Sequence, residues 1–205
     1  MGKIKYTKGE LKKQRDNLSL FSHYLPTLQL KKQQLQLKIL EVRRAINEKK
    51  TAYETALKEI MKWAGILADQ RFSVAPWLAP KKVFYAIDNI AGVDVWVFKD
   101  VTFEEKTYDY YSSPFWVDKA IDILQKQMRI LIEIEILDKQ IAVLAQELRV
   151  TTQRVNLFEK VKIPECAENI RRIKIYLGDQ MSNAVGISKV AKRKTLQREE
   201  AQILV

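Results

Sequence analysis

Starting at Leu11, alternate steps of three and four residues land on Leu11, Gln14, Leu18, Phe21, Leu25, Leu28, Lys32, Leu35, Ile39, Val42, Ile46, Lys49, Tyr53, Ala56, Ile60, Trp63 and Leu67. Fourteen of these seventeen positions are apolar, so the register persists for eight heptads. A pattern held that long describes a narrow seam wound left-handedly against a partner helix, not the broad stripe of a helix resting on a globular core. Thr7 and Glu10 stand at capping-box spacing, which starts the helix near Lys8. Pro26 removes one backbone donor inside the run and predicts a local kink.

A second seam follows the same rule. Ile130, Ile134, Leu137, Ile141, Leu144, Leu148, Thr151, Val155 and Phe158 alternate by three and four, and eight of the nine are apolar. The register then slips by one residue near Pro164 before Ile163, Cys166, Ile170, Ile173 and Leu177 resume it. Two matched seams in one chain predict pairing with each other as an antiparallel hairpin, with both chain ends at one tip. About 60 helical residues at 1.5 Å each would make a rod of roughly 90 Å.

Turn residues are scarce, with 6 Gly and 5 Pro in 205 residues, and Pro76, Pro80, Gly92 and Pro114 fall between residues 70 and 115. In that window Lys82–Ile87 and Val93–Phe98 are β-branched and aromatic, and residues 88–92 between them suit a turn, so a short β-hairpin is expected. It would form a small knob at the end of the rod away from the termini or on its side. Tyr108, Tyr110, Tyr111, Phe115 and Trp116 lead on toward the second helix. The expected fold is therefore mainly all-α, a long antiparallel two-helix coiled coil with a small central β-hairpin and loop knob. The division is an N-terminal coiled-coil helix over 1–70, the knob over 71–114 and a C-terminal coiled-coil helix over 115–205.

Composition removes several kinds of chemistry. A single Cys166 excludes a disulfide framework and a cysteine zinc cluster, and fits a reducing cytosol. No Gly-x4-Gly-Lys string is present to cradle phosphate. His23 and Cys166 lie on different predicted helices, which leaves a nucleophile–base pair without members; His23 reads as an exposed or interface side chain and Cys166 as a small buried seam residue. Glu133 and Glu135 flank seam position Ile134 and read as solvated sides of a helix. The sequence offers no catalytic, cofactor or metal-binding candidate. No window approaches 18 unbroken apolar residues, and the amino terminus has no apolar run behind its charges, so neither a membrane span nor export is expected. The expected address is the cytoplasm.

Charge is unevenly placed. Of a net charge of +11, residues 1–50 contribute +9 and residues 162–205 contribute +4, leaving −2 for the remainder. An antiparallel pair would bring both basic arms to one strongly positive tip on a near-neutral body.

Several short strings, in order, resemble the D subunits of the V-type (archaeal and bacterial A/V-type) ATPases over nearly the full length. Ile4-Lys-Tyr-Thr-Lys8 with Leu11 and Leu18 is similar to that family's opening and leucine spacing, followed by His23 and Lys31-Lys32. Asn89-Ile-Ala-Gly-Val93 resembles its Asn-Ile-x-Gly-Val turn. Arg154-Val-Asn156 with Glu159 and Ile163-Pro164 resembles the string preceding an Ile-Pro in its last helix. Ser22, Gln33-Gln34 and Trp96 depart from the family pattern.

The resemblance implies a non-catalytic rotor shaft whose paired terminal helices enter the head of A and B subunits. Its lower part would carry the rotor's F subunit and dock on the subunit linking the stalk to the membrane ring, placing it peripherally at a membrane-bound complex that moves protons or sodium ions. The seam residues that would stiffen such a shaft are Leu18, Leu25, Leu28, Leu35, Ile39, Val42, Ile46, Ile134, Leu137, Ile141, Leu144, Leu148, Val155 and Phe158. The residues of the head-facing basic tip would be Lys3, Lys5, Lys8, Lys12, Lys13, Lys192, Arg193 and Lys194. Two other classes fit a basic coiled coil. One is a structural adaptor; the other is a nucleic-acid binder, against which stands the lack of a contiguous basic groove interleaved with aromatics.

Overall fold

The computed structural model describes residues 4–68, 73–105, 107 and 113–203. The protein is mainly α-helical, with α1 Lys8–Met61, α2 Val117–Leu157 and α3 Ile163–Ile203, and it carries one antiparallel hairpin, β1 Pro80–Ile90 and β2 Val93–Phe103. The chain forms two compact units, Leu30–Thr151 and the combination of Met1–Gln29 with Thr152–Val205.

In the Leu30–Thr151 unit, α1 and α2 pack in antiparallel. Lys31 Nζ donates to Glu147 Oε1 at 2.8 Å, and Lys49 bridges Glu133 at 2.9 Å, so the partner number falls as the first rises. Between the bridges, Val42, Ile46 and Ile134 form one buried cluster flanked by Ile130, Leu137 and Ile141. Leu35, Ile39, Leu144 and Val95 form another. Val95 belongs to β2, and Ile90, Ala91, Val93 and Leu148 pack around it, so the hairpin lies on the side of the helix pair with its turn beside Leu35.

The strands extend to eleven residues each, beyond the Lys82–Ile87 and Val93–Phe98 cores that β-propensity marks. Only Ala91 and Gly92 form the turn, at φ 52° and 77°. Positive φ at both central residues is the two-residue geometry whose twist matches paired strands. Asp88 and Asn89, turn-forming by type, are strand residues, and the Asn89 side chain holds the turn: its Oδ1 accepts from Gly92 N–H at 3.0 Å and its Nδ2 donates to Asp94 at 2.6 Å. Further along, Trp96 O accepts from Gln140 Nε2 at 3.4 Å, Arg129 pairs with Asp100, and Trp77 O accepts from Gln125 Nε2 at 2.9 Å. α1 stops at Met61, short of the segment end expected near Gln70, and a 3-10 turn covers Ala64–Ala68. Tyr108, Tyr110 and Tyr111 lie outside the described residues.

In the other unit, Thr7 caps α1 by accepting from Glu10 N–H at 3.2 Å. The helix runs unbroken through Pro26. Pro26 and Ser22, whose carbonyl loses its helical donor, are both exposed, so water can satisfy the orphan. Here too the two strands of helix are antiparallel: the Tyr6 and Tyr176 rings are 5.1 Å apart, Asn169 Nδ2 meets Gln14 Oε1 at 3.5 Å, and the Phe21 and Phe158 rings are 5.0 Å apart. Val155, Cys166, Ile170 and Ile173 are buried along this seam.

The register slip near Pro164 has a structural cause. Phe158–Lys162 is a π-turn, closed by Ile163 N–H donating to Phe158 O. A π-turn takes up one residue more than an α-turn. A step of four from Phe158 would reach Lys162, whereas the extra residue brings Ile163 to the seam and keeps Cys166, Ile170 and Ile173 facing α1. Pro164 has no N–H for the Lys160 carbonyl, so the wider winding falls where an α-turn would lose a bond anyway.

One expectation is corrected. The start of α1 and the end of α3 are not side by side, because α3 continues for 27 residues beyond Tyr176, the ring that faces Tyr6, and residues 178–197 are exposed on every side. At 1.5 Å per residue that continuation is roughly 40 Å long.

Candidate interaction surfaces

Among the described residues, no three His, Cys, Asp or Glu side chains gather as metal ligands would. Among the same residues, no helix is long and apolar enough to cross a membrane. His23 is exposed, its ring edge-on to Tyr24 at 5.8 Å. Cys166 is a buried free thiol; burial pushes its pKa up, Glu165 adds to the rise and Lys162 opposes it. Among the described residues, the strongest carboxylate perturbation is on α3. Glu168 accepts from Arg171 Nε at 2.8 Å and Nη2 at 2.9 Å and from Arg172 Nε at 2.8 Å, and these bonds, Arg171 first, hold its carboxyl down to about 2.

Of the seam residues, Leu35, Ile39, Val42, Ile46, Ile134, Leu144 and Val155 are buried, while Leu18, Leu25, Leu28, Leu137, Ile141, Leu148 and Phe158 are half-buried. Leu35, Ile39 and Leu144 are buried together with Val95 of the hairpin, and Val42, Ile46 and Ile134 are buried between the two helices alone. Polar residues share it: Gln14 faces Asn169, and Gln140 and Thr151 are buried. Such polar positions disfavour shifted registers, since a slip would leave them facing apolar partners.

The basic residues separate into two groups. Lys5, Lys8, Lys12 and Lys13 are exposed at the start of α1, where Lys5 edges a groove of about 470 Å³ with Glu10, Lys162 and Glu165. Lys192, Arg193 and Lys194 are exposed on the lone part of α3, and Lys192 stands sixteen residues past Tyr176, roughly 24 Å along the helix. Lys3 lies outside the described residues.

Three apolar surfaces escape the seam pattern. The hairpin's outer face carries exposed Tyr85, Ile87 and Trp96, with Tyr85 edge-on to Trp96 at 6.2 Å. These two rings, Val83, Ile132 and Ile136 wall a groove of about 380 Å³. A second groove, about 650 Å³, lies between α1 and α2 and is lined by Leu37, Leu40, Ile39, Ala145 and Leu148. The third is the bare α3 extension with Met181, Val185 and Ile187. The sequence signal for the second was available: Leu30, Leu37 and Leu40 repeat at helical spacing outside the seam register.

Interlocked antiparallel helices with a hairpin laid on them, and apolar surfaces rimmed by charge, define a coiled-coil protein whose chemistry is that of its faces. The chain belongs to the family of ATP synthase D subunits, whose pattern it matches over residues 10–193. It is 43% identical over 198 residues to the V-type ATP synthase D subunit of Borreliella burgdorferi, covering 97% of this chain and 98% of that one. It is 33% identical to the proteins of the same name from Chlamydia caviae and Chlamydia felis, in each case over 96% of both chains.

Proposed function

We propose that the chain is the central-stalk component, the rotor shaft, of a V-type proton- or sodium-translocating ATPase or ATP synthase, and that it transmits torque between the membrane ring and the A and B subunits of the head. The chain itself performs no nucleotide chemistry in this role. It works on the cytoplasmic side, peripheral to the membrane, with the rotor's F subunit and the subunit linking stalk to ring as its other partners. Residues 1–70 and 115–205 supply the shaft, and residues 71–114 carry the knob.

The observation that carries this reading is the near-full-length likeness to V-type ATP synthase D subunits. The packing is consistent with the mechanics. Within each unit, two helices joined by a continuous seam and by cross-helix contacts such as Lys31–Glu147 or Tyr6–Tyr176 resist turning past one another. A shaft with unlike faces can favour a different conformation in each catalytic site it meets, which couples angle to affinity.

Lys3, Lys5, Lys8, Lys12, Lys13, Lys192, Arg193 and Lys194 form the head-facing surface in this account. Reversing Lys5, Lys8, Lys12 and Lys13 to Glu weakens assembly of the shaft with isolated A and B subunits, and added salt narrows the gap between variant and parent. Equal affinity of the two at low salt rejects the head-facing assignment, and failure of the parent chain to join A and B subunits rejects the shaft reading.

A further inference from the structure

The helix pair of the Leu30–Thr151 unit has two flanks. The hairpin covers one, with its turn beside Lys31 and Leu35 and its second strand against Gln140 and Leu144. Among the described residues no element covers the other, which holds the groove of about 650 Å³. On α1 this flank presents Leu37 and Leu40, 62% and 51% exposed, and on α2 it presents Ala145. Exposed leucines at i, i+3 facing a small residue across a groove between two helices make a seat for a third helix.

Charge says which helix. Arg43 edges the groove; Arg44 follows Leu37 by seven residues and Arg149 follows Ala145 by four, which puts both on the same flank. Among the described residues, none of these three arginines makes an ion pair, whereas Lys31, Lys38, Lys49 and Lys139 are all bridged. The same spacing places two carboxylates there, Asp138 seven residues before Ala145 and Glu41 four residues after Leu37, and Glu41 is already bridged by Lys38 at 2.9 Å. We infer that the groove opposite the hairpin docks an amphipathic helix of a partner chain, with an apolar stripe seated on Leu37, Leu40 and Ala145 and with Asp and Glu borders meeting Arg43, Arg44 and Arg149. The inference stands apart from the rotor reading, since it needs only this flank.

The test uses the full chain and two labelled synthetic helices with leucines at three–four spacing, one bordered by Glu and the other by Lys, followed by fluorescence anisotropy. The Glu helix binds saturably, more weakly as salt is raised, and about tenfold or more tighter than the Lys helix. Arg43→Glu with Arg149→Glu inverts that preference. Leu37→Asp with Leu40→Asp loses binding by about tenfold or more while helical circular dichroism is unchanged, since both positions are exposed. Binding of neither helix, equal binding of both, or indifference to the arginine reversals overturns the inference. So does sedimentation showing that the free chain self-associates and that Leu40→Asp abolishes it, which would give the face to a second copy.

Discussion

Insertion of one alanine between Val161 and Lys162 perturbs the π-turn without removing any side chain. Each α-helical residue turns by about 100°, so the extra residue rotates everything downstream away from α1 unless the helix deforms again. Cys166, Ile170 and Ile173, now 5%, 9% and 0% exposed, leave the seam. Exposing a buried Ile costs about 1.5–3 kcal/mol, hence about 3–6 kcal/mol for the two. The assay is labelling of Cys166, the chain's single cysteine, by a thiol reagent without denaturant. A loss of about 3 kcal/mol corresponds to a hundredfold or greater rise in the exposed population, and labelling accelerates accordingly. Burial raises the parent thiol's pKa above 9.0, so its contribution to stability is complete below the unfolded value and is lost as pH rises through the folded one; the parent therefore stays slow to label at pH 9. An insertion variant as protected as the parent would refute the claim that the turn's residue count sets the downstream register.

Leu144→Ala, at a fully buried position joining both helices to Val95, costs about 2–5 kcal/mol in urea unfolding, and a loss below about 1 kcal/mol contradicts the packing. Gly92→Ala destabilises by about 1–2 kcal/mol through its positive φ, because a Cβ there meets nothing closer than the Lys31 ammonium at 4.0 Å; an unchanged melting profile refutes the turn geometry. Glu168 titrates near 2, so the stability it contributes is present above its unfolded value of 4.5 and fades as pH falls through about 2. Its side-chain NMR shift shows this directly, and replacing Arg171 and Arg172 with Ala moves the midpoint up toward 4.5.

The helices were legible because period carries over distance. Each three–four position from Leu11 to Leu67 is buried or half-buried, and the same holds from Ile130 to Leu177. Even the one-residue slip at Ile163 was visible as a broken count, although a sequence shows only the extra residue and not the π-turn that absorbs it. The hairpin was legible in kind but not in length, since Asp88 and Asn89 are turn formers by type and become strand only because Ala91 and Gly92 close so tightly. The placement of the surfaces was hidden. Which flank of α1 the hairpin covers depends on Val95 seating between Leu35 and Leu144, a contact across more than forty residues that no local pattern encodes. The spacing of the basic arms was hidden for a related reason: charge counts place Lys12 and Lys192 near the two ends of the sequence, but how far α3 outruns α1 depends on where the seams align.

The most direct measurement attaches a bead to an exposed position on the lone part of α3, such as Ser188→Cys in a Cys166→Ala background, in the assembled complex with its head fixed to glass. On addition of ATP the account predicts stepwise rotation of the bead in one direction, with three dwells per turn if three catalytic sites act in sequence. A bead that stays still while the same complexes hydrolyse ATP would show that this chain belongs to the stationary part and contradict the shaft assignment.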